Sequence, residues 1–158
     1  MPRRRQHSVL ITIDERFAPS LDAARLAETA RRVLEAEGVP AAELGVVITD
    51  DETVRDLNRR YAGLDEPTDV LSFSLREGEE FVVPPGGIDR LGEVVISFPT
   101  AARQASEQGR ALDSEIAHLL VHGTLHLLGY DHAEPAEERR MRAREEELLG
   151  QERLHNRL

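Results

Sequence analysis

Cysteine, tryptophan and lysine are all absent from this chain of 158 residues. Without cysteine the chain can form no disulfide and offers no thiolate, so a transition metal would need histidine and carboxylate ligands. Aromatic residues make up only 4%, so the core must rest on Leu, Val, Ile and Ala. A hydrophobic fraction of 40% with 32% charged residues indicates a globular chain rather than a disordered one.

Long apolar runs are also lacking. The basic N-terminus, Arg3 to Arg5, is followed by an apolar run at 8–13 that is too short for a signal peptide or a membrane span. We therefore expect a cytoplasmic protein with no membrane partner. The length fits one domain covering residues 1–158.

The net charge of −10 argues against a broad basic surface for nucleic acid, because phosphate contacts normally come from Arg and Lys. All the basic residues are Arg, and Arg can bind a phosphate through two hydrogen bonds. We therefore expect any nucleic-acid contact to be local. A DNA partner is not expected.

The hydrophobic patterning predicts the order β-α-β-α-β-β-α-α-α, an α/β (α+β) fold with a small four-stranded mixed sheet and about five helices. Ser20 is predicted to cap the first helix, Asp50 or Asp51 the second and Asp113 the fourth. A surface loop is predicted at 76–90. Strands are predicted at 8–13, 45–49, 69–74 and 91–97, and helices at 21–37, 50–61, 99–108, 113–128 and 135–149.

The segment His122-Gly-Thr-Leu-His-Leu-Leu-Gly-Tyr-Asp-His132 carries the chemistry. His122 and His126 are four residues apart, so both project from one face of a helix. Gly129 can end that helix in a left-handed turn and bring His132 back as a third ligand. Three imidazoles with an open fourth position predict a catalytic ion, most simply one zinc. The identity of the metal stays open, since the same ligands accept nickel, copper or iron.

His118 continues the same helical face, which raises a competing ligand set. His118 and His126 would lie about 12 Å apart along the helix, too far for one ion with bonds of about 2 Å. We therefore expect His118 to support a ligand, contact substrate or pack in the core.

The spacing matches the zincin pattern H-x-x-x-H-x-x-G-x-x-H. We therefore expect the first two histidines to lie on a zincin-like metal-binding helix. Zincin proteases carry Glu, their general base, directly after the first histidine, and this chain has Gly123 there. The motif therefore predicts the metal site without the base that peptide hydrolysis uses.

The same segment, preceded by Glu115-Ile-Ala-His-Leu-Leu-Val121, resembles the YbeY-type rRNA-maturation endoribonucleases of bacteria. Further blocks agree in order: Leu57-Asn58 with Tyr61, Pro67-Thr-Asp-Val-Leu-Ser-Phe73 and Leu91-Gly-Glu-Val-Val-Ile-Ser97. The resemblance implies a single-strand-specific endoribonuclease that acts in 16S rRNA 3′-end maturation and ribosome quality control. It also implies rRNA and the small ribosomal subunit as partners, and a metal on His122, His126 and His132.

One position departs from the resemblance, because Ala62 stands where an Arg often follows the Tyr of the family. Arg59 or Arg60, from the preceding turn, could substitute for it. These two residues are predicted RNA contacts, together with Ser72 on the strand expected to border the cleft. The general base stays open between a hydroxide on the metal, which we favour, and the carboxylates of Asp131 and Glu115. Two alternatives remain: a hydrolase for a peptide or small molecule, and a ribosome-assembly factor with a structural metal.

The last predicted helix is rich in both signs of charge, with Arg residues at 139–144 set among Glu residues at 137–147. Glu138 and Arg142 are four residues apart, a spacing that favours an ion pair on a helix. This pattern predicts a solvated, salt-bridged face.

Overall fold

The computed structural model describes residues 7–62, 68–74 and 89–156 of the chain. It confirms a four-stranded sheet and five helices. In chain order the elements are β1 (His7–Ile13), a 3-10 turn (Ala18–Ser20), α1 (Ala23–Ala36), β2 (Ala42–Thr49), α2 (Asp51–Ala62), β3 (Val70–Ser74), β4 (Asp89–Ser97), α3 (Phe98–Glu107), α4 (Leu112–Leu127) and α5 (Pro135–Asn156).

The sheet has the strand order β1-β2-β4-β3. Strands β1, β2 and β4 are parallel, and β3 runs antiparallel to β4 at one edge, so the sheet is mixed as predicted. Side chains alternate along each strand, and Val46 and Ile48 of β2 share a face with Val94 and Ile96 of β4. Residues of α1 and α4 pack on this face, which forms the main core.

Two of the predicted helix caps are wrong. Ser20 closes the 3-10 turn instead, and Asp22 caps α1 by accepting the backbone N–H of Arg25. At α4 the cap position is Ala111, and Asp113 lies inside the first turn, where its charge suits the positive end of the helix dipole. The cap of α2 is Asp50, which accepts the Thr53 N–H at 2.8 Å.

Helix α5 is only partly the solvated face that the sequence predicts. The Glu138–Arg142 pair forms as expected, at 2.7 Å and exposed. Met141 and Leu148, however, are buried against α4 and α1 together with Val121 and Leu125. The helix therefore has an apolar side that docks it onto α4.

Most of the predicted 76–90 loop lies outside the described residues, and its last two positions begin β4. Arg3 to Arg5 also lie outside them. No helix within the described ranges is both long and apolar enough to pass through a membrane.

Candidate metal centre

Helix α4 lies tightly against the edge of the sheet at Gly123. The Ser72 hydroxyl of β3 donates to the Gly123 carbonyl at 3.1 Å. A Cβ atom at position 123 would stand 2.6 Å from Cγ1 of Val94, closer than packed atoms tolerate. Position 123, where zincin proteases carry their general base, is therefore buried against β3 and β4. A side chain larger than that of glycine does not fit there.

The chain leaves α4 through the turn that the sequence predicts. Gly129 has a φ of 105°, a conformation that glycine adopts without strain. Its N–H donates to the His126 carbonyl at 3.1 Å, and the Tyr130 N–H donates to the Leu125 carbonyl at 3.1 Å. This turn directs the following residues back toward α4 and brings His132 beside the helix.

The ring of His132 lies near the rings of both other predicted histidine ligands. The ring centroid of His132 lies 5.7 Å from that of His122 and 5.9 Å from that of His126. Two imidazoles on one tetrahedral ion have centroids about 5 Å apart, given metal–nitrogen bonds of about 2.0–2.1 Å. Both ring pairs lie somewhat beyond this separation, and the ligand atoms of His126 and His132 already lie within 4.8 Å of each other, so the chemistry of these residues fits a metal.

Asp131 joins this cluster, which the ligand prediction did not include. Ligand atoms of His126, Asp131 and His132 lie within 4.8 Å of one another, and all three residues are exposed. One Asp131 oxygen accepts the backbone N–H of His132 at 2.7 Å, which fixes the turn. Asp131 is thus placed to serve either as a ligand or as an acceptor of protons next to the metal.

Glu145 of α5 is the site residue that the sequence analysis missed. Its Oε2 lies 3.1 Å from Nδ1 of His122, and its Oε1 lies 3.2 Å from Nε2 of His118. Burial opposes ionisation of this carboxyl, but the hydrogen bonds from both histidines outweigh it and lower its pKa to about 2. The sequence did contain an indication of its burial, since Glu145 lies on the same side of α5 as the apolar residues Met141 and Leu148.

His118 contacts the same carboxylate as His122, which agrees with the expectation that it supports a ligand. The hydrogen bond to Glu145 raises the pKa of its imidazole above the ordinary value. His118 and His122 also border a cavity of about 780 Å³ that Arg25, Asp69 and Arg110 help to line. Nδ1 of the His122 ring is thus held by Glu145, and the centroid of this ring lies 5.7 Å from that of His132.

The second carboxylate named from the sequence, Glu115, is in a different environment. It is only 3% exposed and pairs with Arg110 at 3.5 Å. Within the described residues we find no contact between Glu115 and the rings of His122, His126 or His132. Its role as a base remains a prediction with less support than that of Asp131.

The predicted RNA contacts divide into two kinds. Arg59 and Arg60 are exposed on α2, where both pair with Asp56, at 2.6 and 3.1 Å. These surface pairs are weak, so a phosphate could replace Asp56. The Ser72 hydroxyl, in contrast, is engaged by Gly123, and its predicted contact with RNA stays a prediction.

Comparisons with known proteins identify the family. The family model described as endoribonuclease YbeY matches residues 12–153. This chain belongs to that family. A relative from Desulforamulus reducens named endoribonuclease YbeY is 49% identical over 127 residues, covering 79% of this chain and 83% of the relative.

Other relatives with the same name agree. One from Pelotomaculum thermopropionicum is 51% identical, covering 79% of this chain and 82% of its own length. One from Dehalococcoides mccartyi is 41% identical, covering 90% of this chain and 91% of its own length. The solution structure of a Thermotoga maritima protein matches with a TM-score of 0.57 and 24% identity over 93% of both chains. That likeness supports the fold.

Proposed function

We propose that this chain is a metal-dependent endoribonuclease that cleaves single-stranded RNA, with one zinc ion held by His122, His126 and His132. Membership of the family and the names of the relatives support the reaction. The observation that supports the metal is the group of His126, Asp131 and His132, whose ligand atoms lie within 4.8 Å of one another, with the His122 ring 5.7 Å from that of His132. The exposure of His126 and His132 leaves room for a large substrate.

We further propose that the biological substrate is the 3′ end of 16S rRNA, with the small ribosomal subunit as partner and the cytoplasm as location. This part rests on the family alone. The acidic net charge of −10 is compatible with it if contacts to phosphate are local, as Arg59 and Arg60 would make them.

A divalent cation at this position supplies Lewis acidity toward a phosphoryl oxygen and an attacking water. The chain's own residues would do the rest. Asp131, exposed and within the ligand cluster, is the better placed of the two candidate carboxylates to take up a proton from the attacking water. Glu145 would hold His122, and the hydrogen bond between Asp131 and the His132 N–H would hold the returning turn.

A peptide-hydrolase function has less support. A zincin protease would need a carboxylate at position 123, and that position is packed against Val94 and Ser72. The remaining alternative is an assembly factor with a structural metal, which would bind RNA without cleaving it.

The test is an RNA cleavage assay with purified protein, using a single-stranded oligonucleotide and the matching duplex. We expect cleavage of the single strand only, its loss with a chelator and its return with zinc. Binding without cleavage by zinc-loaded protein would favour the assembly factor. Undiminished cleavage by protein shown to be metal-free would overturn the proposal.

A further inference from the structure

Glu145 lies outside the segment that supplies the three histidines, yet its carboxylate reaches two histidines of α4. Both of its oxygens are used, Oε2 at 3.1 Å from His122 Nδ1 and Oε1 at 3.2 Å from His118 Nε2. The side chain is only 9% exposed, so water competes little for these contacts. A carboxylate can only accept hydrogen bonds, and both ring nitrogens must therefore be donors.

We propose that Glu145 is a positioning residue that selects which nitrogen of His122 binds the metal. A neutral imidazole has one N–H and one lone pair. With the hydrogen of His122 held on Nδ1 by Glu145, the lone pair is on Nε2. Carboxylates behind metal-binding histidines fix ring orientation and strengthen the ligand in this way. The inference rests on the metal centre proposed above.

Packing alone does not account for a carboxylate at this position. Glu145 lies between Met141 and Leu148 on the apolar side of α5, which docks onto α4. Burying a charge in such a place is costly unless it is paired. Among the residues that the structure describes, His118 and His122 are its only ion-pair partners. A carboxylate at this position therefore gives up apolar packing and fixes the orientation of the His122 imidazole.

The test compares Glu145→Gln with Glu146→Gln, its exposed neighbour on α5. Glutamine is nearly isosteric with glutamate but has one acceptor oxygen for two N–H donors. Zinc affinity of metal-free protein would be measured by competition with a chromophoric chelator. We expect the zinc Kd to rise about 10–100-fold in Glu145→Gln and to stay unchanged in Glu146→Gln. An unchanged Kd in Glu145→Gln would overturn the proposal.

A double-mutant cycle separates positioning from a general loss of structure. His122→Ala leaves the cluster of His126, Asp131 and His132, which can still bind zinc weakly. If Glu145 acts through His122, Glu145→Gln has no further effect on the zinc Kd in the His122→Ala background. The same fold-loss in both backgrounds would show a structural role only and overturn the proposal.

One measurement needs no variant. In zinc-loaded wild-type protein with ¹⁵N-labelled histidine, NMR should show His122 with a protonated Nδ1 and a ligated Nε2. Ligation through Nδ1 would refute the role of Glu145 while leaving the metal centre intact. If the wild type bound no zinc, or His126→Ala bound it equally well, the metal centre itself would be wrong and this inference would fall with it.

Discussion

Two polar clusters of the molecule are built differently. At the carboxyl end of the parallel strands, Arg16 bridges Asp14 and Asp50 at 2.7 and 2.6 Å. Beside it, Asp51 accepts hydrogen bonds from Ser97, Thr100 and Arg103. Each of the three carboxylates thus has an Arg as ion-pair partner, and Asp51 also accepts hydrogen bonds from two hydroxyl groups.

In the histidine cluster of α4 and its C-terminal turn the balance is reversed. Only the end of α4 lies near the amino end of the parallel strands, since Leu128 packs against Ala42 of β2 and Leu91 of β4. One carboxylate, Glu145, holds two histidines from behind. Within the described ranges, the rings of His126 and His132 have no hydrogen-bond partner, and both residues are exposed.

The contrast shows which cluster stabilises the fold and which is available to a ligand. Open α/β sheets usually bind ligands beyond the carboxyl ends of their strands. Here ion pairs occupy that end, and the donor atoms left over lie on a helix and its C-terminal turn. Three variants test this difference between the clusters.

The largest effect is expected from His126→Ala in the histidine cluster. Removal of a ligand should cost more zinc affinity than the about 10–100-fold expected for loss of a supporting contact, and RNA cleavage should disappear with the metal. Metal analysis and the single-strand assay would measure both. Urea unfolding of the metal-free protein should change little because the side chain is exposed. Retention of zinc by the folded variant would contradict the ligand assignment.

An intermediate effect is expected from Gly123→Ala, where α4 packs against β4. The added Cβ would lie 2.6 Å from Val94 Cγ1, and overpacking of this kind costs about 1–3 kcal/mol. The matched control is Gly150→Ala on α5, where a Cβ meets nothing within 4 Å. A gain of about 0.5–1 kcal/mol is typical for that change in a helix. Equal unfolding free energies for the two variants would show that α4 does not lie as closely on the sheet as described.

The smallest effect is expected from Asp50→Asn at the carboxyl end. Hydrogen bonds from Thr53 and Arg16 lower the pKa of the Asp50 carboxyl from 3.8 to about 2. The charge therefore stabilises the fold above pH 3.8, and this contribution is lost as the pH falls through about 2. Arg16 is 60% exposed, so the loss near neutral pH should be about 1 kcal/mol or less.

Asn keeps the helix cap, so Asp50→Asn isolates the effect of the charge. Urea unfolding at pH 6 and pH 3 should show a stability difference that narrows at the lower pH. Zinc affinity should not change. A stability difference that became larger at pH 3 would contradict the stabilising role of the Asp50 charge. A loss of zinc binding would show that the two clusters are not independent.

Much of the site was predictable because its geometry is local. Four residues make one helical turn, which places His122 beside His126, and Gly129 allows the turn that returns His132. Glu145 was not predictable in this way, since the charge pattern of its helix favoured a solvated face. The burial of Met141 and Leu148 on either side of it decides that it faces α4.

The order of strands and helices, the absence of thiolate ligands, and the three histidines on one turn and its return can be predicted from the amino acids alone. These follow from short-range patterning, backbone geometry and composition. The folded chain is needed to show that Gly123 packs against the sheet, that Asp131 joins the histidine cluster and that Glu145 holds His122. These depend on how closely α4, α5 and the edge strand approach one another, and packing between distant segments sets that distance.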